Sequence, residues 1–360
     1  MRIASFTLVG LLCLLPVLGL FAGCEPGGGG RKILNVSYDP TRELYREYNV
    51  LFKDHWKKTT GESVEVEQSH AGSGAQMRSV IAGQEADVVT LALGFDIDSI
   101  ADTGIISPEW QKQFPNNNCP YSTTIVFLVR KGNPHGIRDW DDLLKEGIEI
   151  ITPNPETSGG ARWNYLAAWG FALKKELGDL NVLNDPAKKA EVDAAQVKAK
   201  RFVADLFKHV RSMDKGARET TNRFVQNKQG DVLLAWENEA FLSKNILPED
   251  GFEIVVPSIS IRCEPPVGIV DKIVEKRGTR DLAEGYLRFL YDKEGQKIVA
   301  KNYYRPTDPE VLAEYSEFFP KIELFAIDEV FGGWRKVQAE HFDGPEAIFK
   351  QILLENAKAK

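Results

Sequence analysis

Ile33-Leu34-Asn35-Val36-Ser37-Tyr38-Asp39-Pro40-Thr41-Arg42-Glu43 changes its chemistry part-way along. Residues 33–37 form a short apolar run that reads as a strand. From Thr41 to Thr60, Leu44, Tyr48, Leu51, Phe52 and Trp56 fall on one helical face, and Gly61 stops the helix. Pro40 suits the first helical turn, where its missing N–H is not needed. Strand, loop and amphipathic helix make one half of a β–α repeat, and the pattern recurs. Val64 and Val66 alternate as a strand before a helix over 75–82. Residues 87–93 form a buried-type strand, and 121–130 a longer one. A strand over 148–152 precedes a helix over 161–177 that Gly178 ends. Further on, the patterns predict helix over 196–210, strands over 231–236 and 252–256, and mostly helix over 279–302. The alternation predicts an α/β protein with central, largely parallel sheets covered by helices. The charge-rich stretch 174–201 reads as a solvated connection or surface helix.

The chain has 360 residues, room for roughly two domains of about 150 residues each. Hydrophobic content of 43% and charged content of 27% exclude wholesale disorder and a coiled coil. The net charge is −7, which argues against a nucleic-acid or anionic-membrane surface partner. An anion would have to be held by local geometry rather than by bulk charge.

The N-terminus is a targeting segment by composition. Residues 6–21 carry no charge and lead to Ala22 and Gly23, a secretory signal rather than a membrane span. Ala22-Gly23-Cys24 resembles a bacterial lipobox, with Phe21 where that pattern usually has Leu, so Cys24 is the expected lipidation site. Four glycines, Gly27 to Gly30, follow as a flexible tether. Cys119 and Cys263 then remain, 144 residues apart. In an exported protein they can pair as a disulfide or stay as two buried thiols, and the sequence leaves both open.

Ligands of open α/β sheets sit at the carboxyl ends of strands, against the following helix starts. Here those junctions are Ser37 to Thr41, Ser69 to Gly74, Thr157 to Arg162, Ser212 to Thr221 and Trp236 to Asn238. They are rich in glycine, small hydroxyl residues and free backbone amides. Amides at helix starts are unsatisfied donors with partial positive charge, and several aimed at one point make an anion site. Catalytic readings fare poorly. The five histidines show no metal-ligand spacing, and there is no nucleophile elbow and no phosphate-loop motif. Cys263-Glu264-Pro265-Pro266-Val267 has Val where the sulfatase signature requires Arg.

The junctions also carry a family likeness. Leu34 to Glu43, Gln68-Ser69-His70, Gly72-Ser73-Gly74 and Ala86 to Leu93 resemble the periplasmic sulfate-binding proteins of ABC uptake systems. So do Ile151 to Pro155, Ser158 to Tyr165 and Ile327 to Trp334. The resemblance implies a two-lobed type II periplasmic binding protein, each lobe a mixed, mostly parallel sheet flanked by helices, with the ligand in the interlobe cleft. It implies a signal over 1–23, anchor and tether over 24–32, a first lobe beginning at 33–120, and a second lobe over 121–264. A return to the first lobe with C-terminal helices follows over 265–360. With crossings near Cys119 and Cys263, a disulfide would span the hinge.

Carried over residue by residue, the resemblance assigns sulfate to the amide of Asp39 and to the amide and hydroxyl of Ser73. It adds the amides of Gly159, Gly160 and Ala217 and the indole N–H of Trp236. Ala217 lies in a loop, Asp214 to Thr221, that departs from the family's small-residue pattern. The Asp39 carboxylate is expected to turn away, and Arg42 and Arg162 to fix loops through carboxylate partners. No cofactor or metal is implied. The implied partners are sulfate, with thiosulfate as a second ligand, and the permease of an ABC transporter. The receptor is expected to be a monomer tethered outside the membrane through Cys24. A receptor for molybdate, tungstate or phosphate is the same-fold alternative, and a secreted phosphatase or sulfatase the different-class one.

Overall fold

The computed structural model describes residues 30–246 and 251–358, so the expected signal over 1–23 and Cys24 lie outside the described residues. Thirteen strands are formed by Arg31–Tyr38 (β1), Val64–Ala71 (β2), Val88–Thr90 (β3), Tyr121–Ser122 (β4), Ile125–Arg130 (β5), Ile150–Pro153 (β6), Val210–Asp214 (β7), Val232–Trp236 (β8), Phe252–Val255 (β9), Ile259–Ile261 (β10), Val267–Ile269 (β11), Arg305–Pro306 (β12) and Glu323–Phe325 (β13). A four-stranded sheet has the order β11-β3-β1-β2, and a five-stranded sheet has the order β7-β6-β8-β5-β9.

Parallel pairing follows the β–α repeats. In the first sheet β1 pairs in parallel with β2, from Arg31 opposite Val64 to Tyr38 opposite Ala71, and also with β3. In the second, β6 pairs in parallel with β7 and β8. The remaining ladders are antiparallel: β11 with β3, and β5 with both β8 and β9. The sheets are therefore more mixed than the alternation predicts. Strands β5 and β11 each follow a crossing between sheets, and a strand entering from the other sheet is not bound to the right-handed helical crossover that makes neighbours parallel. The two crossings run side by side: Thr123 and Cys263 exchange both backbone hydrogen bonds, each 2.9 Å. That exchange, with Thr124 Oγ1 donating to the Ile261 carbonyl at 2.8 Å, interrupts the strand expected over 121–130.

Each sheet has its own apolar filling. On the first, Leu44, Tyr45, Tyr48 and Phe52 of the 42–60 helix pack with Tyr286 and Leu287, while Val36, Val89, Ile97 and Trp110 fill the opposite face. On the second, the helix Gly159–Leu177 is buried from Gly159 through Leu173 and packs with Phe127, Trp140 and Phe207. Each large side chain buried in this way contributes on the order of 1.5–3 kcal/mol.

One expectation is corrected here, and two readings that the sequence left open take one form. Residues 265–360 do not all return to the first sheet. Strand β13 pairs with β10, and Phe342, Phe349 and Ile352 join the core containing Tyr165 and Phe207. Gly170 permits this docking, because a Cβ there would lie 2.1 Å from the Phe325 ring. Of the two readings of 174–201, a solvated connection or a surface helix, the second holds for its later part: it contributes to a 20-residue helix, Lys189–Lys208, whose inner side is buried along Ala195, Ala199, Val203 and Leu206. Cys119 and Cys263, whose state the sequence leaves open, are unpaired in the structure. Both are buried free thiols, Cys119 Sγ 3.4 Å from the Glu264 carbonyl and Cys263 Sγ 3.7 Å from the Ile261 carbonyl. Burial pushes both thiols above the usual range, so neither is a ready nucleophile for exchange.

Candidate functional site

Four helix starts meet at one cavity. They are the 3₁₀ turn Asp39–Thr41 leading into the 42–60 helix, Ser73–Ile81, Gly159–Leu177 and Ala217–Val225. The first two follow β1 and β2 of the first sheet, and the last two follow β6 and β7 of the second. None of the four has a side-chain cap at its N-terminus. A helix start without a cap leaves its first amides unsatisfied and its positive dipole end open. The small cavity they surround is lined by Tyr38, Asp39, Pro40, Gly72, Ser73, Ala92, Ser158, Gly159, Gly160, Ala217 and Trp236.

All six residues that the sequence assigns to sulfate thus line the same cavity. Trp236 closes β8 and is buried, with its ring 5.7 Å from that of Tyr38. Its Nε1 has no hydrogen-bond partner among the described residues. A buried N–H left unpaired costs about 1–3 kcal/mol, so an orphan of this kind calls for an acceptor. Gly160 lies directly against the donor: a Cβ there would sit 2.4 Å from Trp236 Nε1.

The two serines differ. Ser73 Oγ donates to Asp96 Oδ2 at 2.5 Å and accepts from the Ala92 N–H at 2.9 Å. Its hydroxyl proton is therefore used inside the protein, whereas the resemblance gave that hydroxyl to sulfate. Ser158, at the cap position of the 159–177 helix, lines the cavity, is buried, and makes no capping bond. The junction Thr157 to Arg162 marked this place in the sequence, but nothing local distinguishes the two hydroxyls. Asp96, which decides the matter, lies 23 residues beyond Ser73.

No Lys, Arg or His lines the cavity. Its one acid, Asp39, has its Oδ1 3.3 Å from Arg42 Nη2, and burial raises its carboxyl pKa against the pull of Arg42 and Arg218. What remains is a concentration of neutral N–H and O–H donors, suited to a small anion with no proton of its own.

A profile of the bacterial extracellular solute-binding protein family matches residues 35–305. The chain belongs to that family. The solute-binding protein is 58% identical over 311 residues to the sulfate-binding protein of Escherichia coli, which covers 86% of this chain and 90% of the relative. It is 46% identical over 342 residues to the thiosulfate-binding protein of Pseudomonas aeruginosa, covering 94% and 97%. The structure of the sulfate-binding protein SubI from Mycobacterium tuberculosis superposes with a TM-score of 0.75 at 30% identity, over 87% of this chain and all of that one. The fold is accordingly the two-lobed type II arrangement, with one sheet at the heart of each lobe.

Around its cavity the solute-binding protein keeps its charges one layer back. Arg162, in the first turn of the 159–177 helix, donates to the Pro155 carbonyl and to Gln338 Oε1, both at 2.9 Å, and stands 3.9 Å from Asp96. Arg42 holds Asp39. Both arginines therefore fix loops, as the helix-start argument expects. His70, flanking the Gly72–Ser73 loop, places Nδ1 3.2 Å from the Tyr38 carbonyl, and burial draws its pKa down to about 4. Among the described residues no cluster of His, Cys, Asp and Glu is arranged to hold a metal, and no helix is long and apolar enough to cross a membrane.

Proposed function

We propose that this protein captures sulfate in the cavity between its lobes and delivers it to the permease of an ABC uptake system. The carrying observation is the buried, unpartnered indole N–H of Trp236 beside four uncapped helix starts. In this reading the donors are the amides of Asp39, Ser73, Gly159, Gly160 and Ala217, the Trp236 indole and the Ser158 hydroxyl. Each charge-assisted bond to a dianion contributes on the order of 1.5–3 kcal/mol, and donors fixed by strands and helices lose little freedom on binding. Selectivity follows from the same inventory. Hydrogen phosphate carries an O–H that needs an acceptor, and burying it unpaired costs about 1–3 kcal/mol. Identity to both a sulfate-binding and a thiosulfate-binding protein favours thiosulfate as a second ligand. The receptor changes no covalent bond, works as a monomer outside the cell membrane, and is tethered there through Cys24.

Calorimetric titration of extensively dialysed protein with sulfate, thiosulfate, molybdate and phosphate tests the reading. Sulfate should bind with micromolar affinity or better, about −8.2 kcal/mol, and phosphate much more weakly. Trp236→Phe keeps the ring and removes the donor, and should weaken sulfate binding about 10- to 100-fold. A protein that binds molybdate or phosphate and ignores sulfate keeps the fold and overturns the ligand.

A further inference from the structure

Near the C-terminus the helix Trp334–Val337 widens into a π-turn over Gln338–Phe342, where the Asp343 N–H donates to the Gln338 carbonyl at 2.8 Å. Turns of this kind are rare and occur frequently at functional sites. This one carries His341, which is 4% exposed. The imidazole stands edge-on to Trp169 and to Phe331, with ring centroids 4.7 and 6.1 Å away. Its Nδ1 is 3.0 Å from the Tyr165 hydroxyl, and its Nε2 makes no hydrogen bond among the described residues.

His341 forms part of the wall of a cavity where three segments meet, none of whose lining residues borders the anion site. The 159–177 helix supplies Trp169, and the C-terminal segment adds Val330, Phe331 and Ile348. Val192, Gln196 and Lys200 recur every fourth residue, so they line it as one stripe of the 189–208 helix. At the rim Val197 is 71% exposed. Most of the polar atoms around this apolar wall are already engaged. Trp169 Nε1 donates to Gln196 Oε1 at 2.8 Å. Asp193 is paired with Lys189, Lys200 with Glu355, and Lys336 with Glu340, while Glu329 accepts from the Ala326 N–H. Asp328 stays in water. With Nδ1 turned to Tyr165, Nε2 is the ring nitrogen left for the cavity.

An apolar wall with one open polar atom is the usual make-up of a site for a small organic molecule. Burial draws the His341 pKa down to about 4, so the ring is neutral at pH 7 and gives a charged ligand nothing in return for its lost hydration. A neutral imidazole has one N–H and one bare nitrogen. Whichever way the bond to Tyr165 runs, Nε2 is left either as a donor or as an acceptor. A hydroxyl group serves both cases, because it can donate and accept. The Trp169 and Phe331 rings favour an aromatic body beside it. We propose that this cavity is a second binding site, which takes a small neutral molecule with an aromatic body and one hydroxyl group seated on His341 Nε2.

Fluorine NMR titration with 4-fluorophenol, and with 4-fluorotoluene as the analogue that lacks the hydroxyl, tests the site. In wild type 4-fluorophenol should saturate below about 10 mM and bind about tenfold more tightly than 4-fluorotoluene. His341→Phe keeps a ring and removes both nitrogens, and should bring the two probes to within about twofold of each other. Val197→Glu changes only an exposed side chain at the rim. It should weaken both probes about fivefold and leave the unfolding midpoint in place, so it decides the matter even if His341→Phe folds poorly. Failure of 4-fluorophenol to saturate overturns the site, as do equal affinities of the two probes for wild type. So does a folded Val197→Glu protein that binds both probes as wild type does, which would place their binding elsewhere on the surface.

Discussion

At the scale of single residues, binding and stability separate most cleanly at Ser73 and Ser158. Ser73 Oγ is the donor to Asp96, a fully buried carboxylate whose other oxygen has no hydrogen-bond partner among the described residues. Burial raises the Asp96 pKa, against the Arg162 charge and the Ser73 bond. Ser73→Ala therefore removes an internal partner and should cost about 1–3 kcal/mol of stability in urea unfolding, with sulfate binding reduced only modestly. Ser158→Ala removes no internal bond. It should leave the unfolding midpoint in place and weaken sulfate about 10- to 100-fold in calorimetry. The reverse pattern would return the hydroxyl role to Ser73. The positions of both serines were legible, because glycine and small hydroxyl residues at a helix start are a local signal. Their division of labour was not, since it depends on Asp96, which is reached only through the tertiary fold.

At the scale of elements, what could be read was whatever a single segment decides. The β1 strand and the 42–60 helix appear almost as the residue pattern dictates, and Gly61 ends the helix in a left-handed conformation, φ +79°. The 189–208 helix was partly missed because its buried stripe begins with Ala195 and Ala199, too weak in hydrophobicity to stand out among lysines and acids. The C-terminal segment was misplaced for a different reason: its partners are supplied by distant helices. There His341 packs edge-on against Trp169, ring centroids 4.7 Å apart, with Nδ1 3.0 Å from the Tyr165 hydroxyl. Burial, with a smaller contribution from Lys336, lowers its pKa from 6.5 to about 4. The folded protein thus keeps His341 neutral where the unfolded chain would protonate it. Its stabilising contribution is complete above pH about 6.5 and is lost as pH falls toward 4, by at most about 3 kcal/mol. His70 titrates over the same window with the same sign. Urea unfolding between pH 7 and 4 should therefore show a shallower loss for His341→Gln than for wild type. Parallel curves would mean that the imidazole is protonated in the folded state.

At the scale of the whole molecule, the two lobes are joined by paired crossings, with a buried ion pair beside them. The alternation of strands and helices foretold sheets covered by helices, and the family resemblance two lobes, but neither told which strands would run antiparallel, because strand direction depends on how the crossings enter. Beside those crossings Glu237, at the start of the 237–246 helix, receives bonds from Arg305 Nε and Nη2, both 2.7 Å. Arg305 lies on β12, which pairs with β4, and the Glu237 N–H donates to the Thr124 carbonyl at 2.9 Å. Glu237 is fully buried and the Arg305 side chain is only 14% exposed, so the pair is held away from water. This pair is a fixed pin. Glu237→Gln should accordingly cost about 3–5 kcal/mol in urea unfolding of the anion-free protein, because it leaves the Arg305 charge without its partner. The ligand should be indifferent to that loss. Sulfate at 100 times its dissociation constant adds about 2.7 kcal/mol to any form that binds it only when folded. The same increment in wild type and in Glu237→Gln would place the pin outside the closing motion. A much smaller increment in the variant would mean that the crossing itself must be held for the lobes to close on the anion.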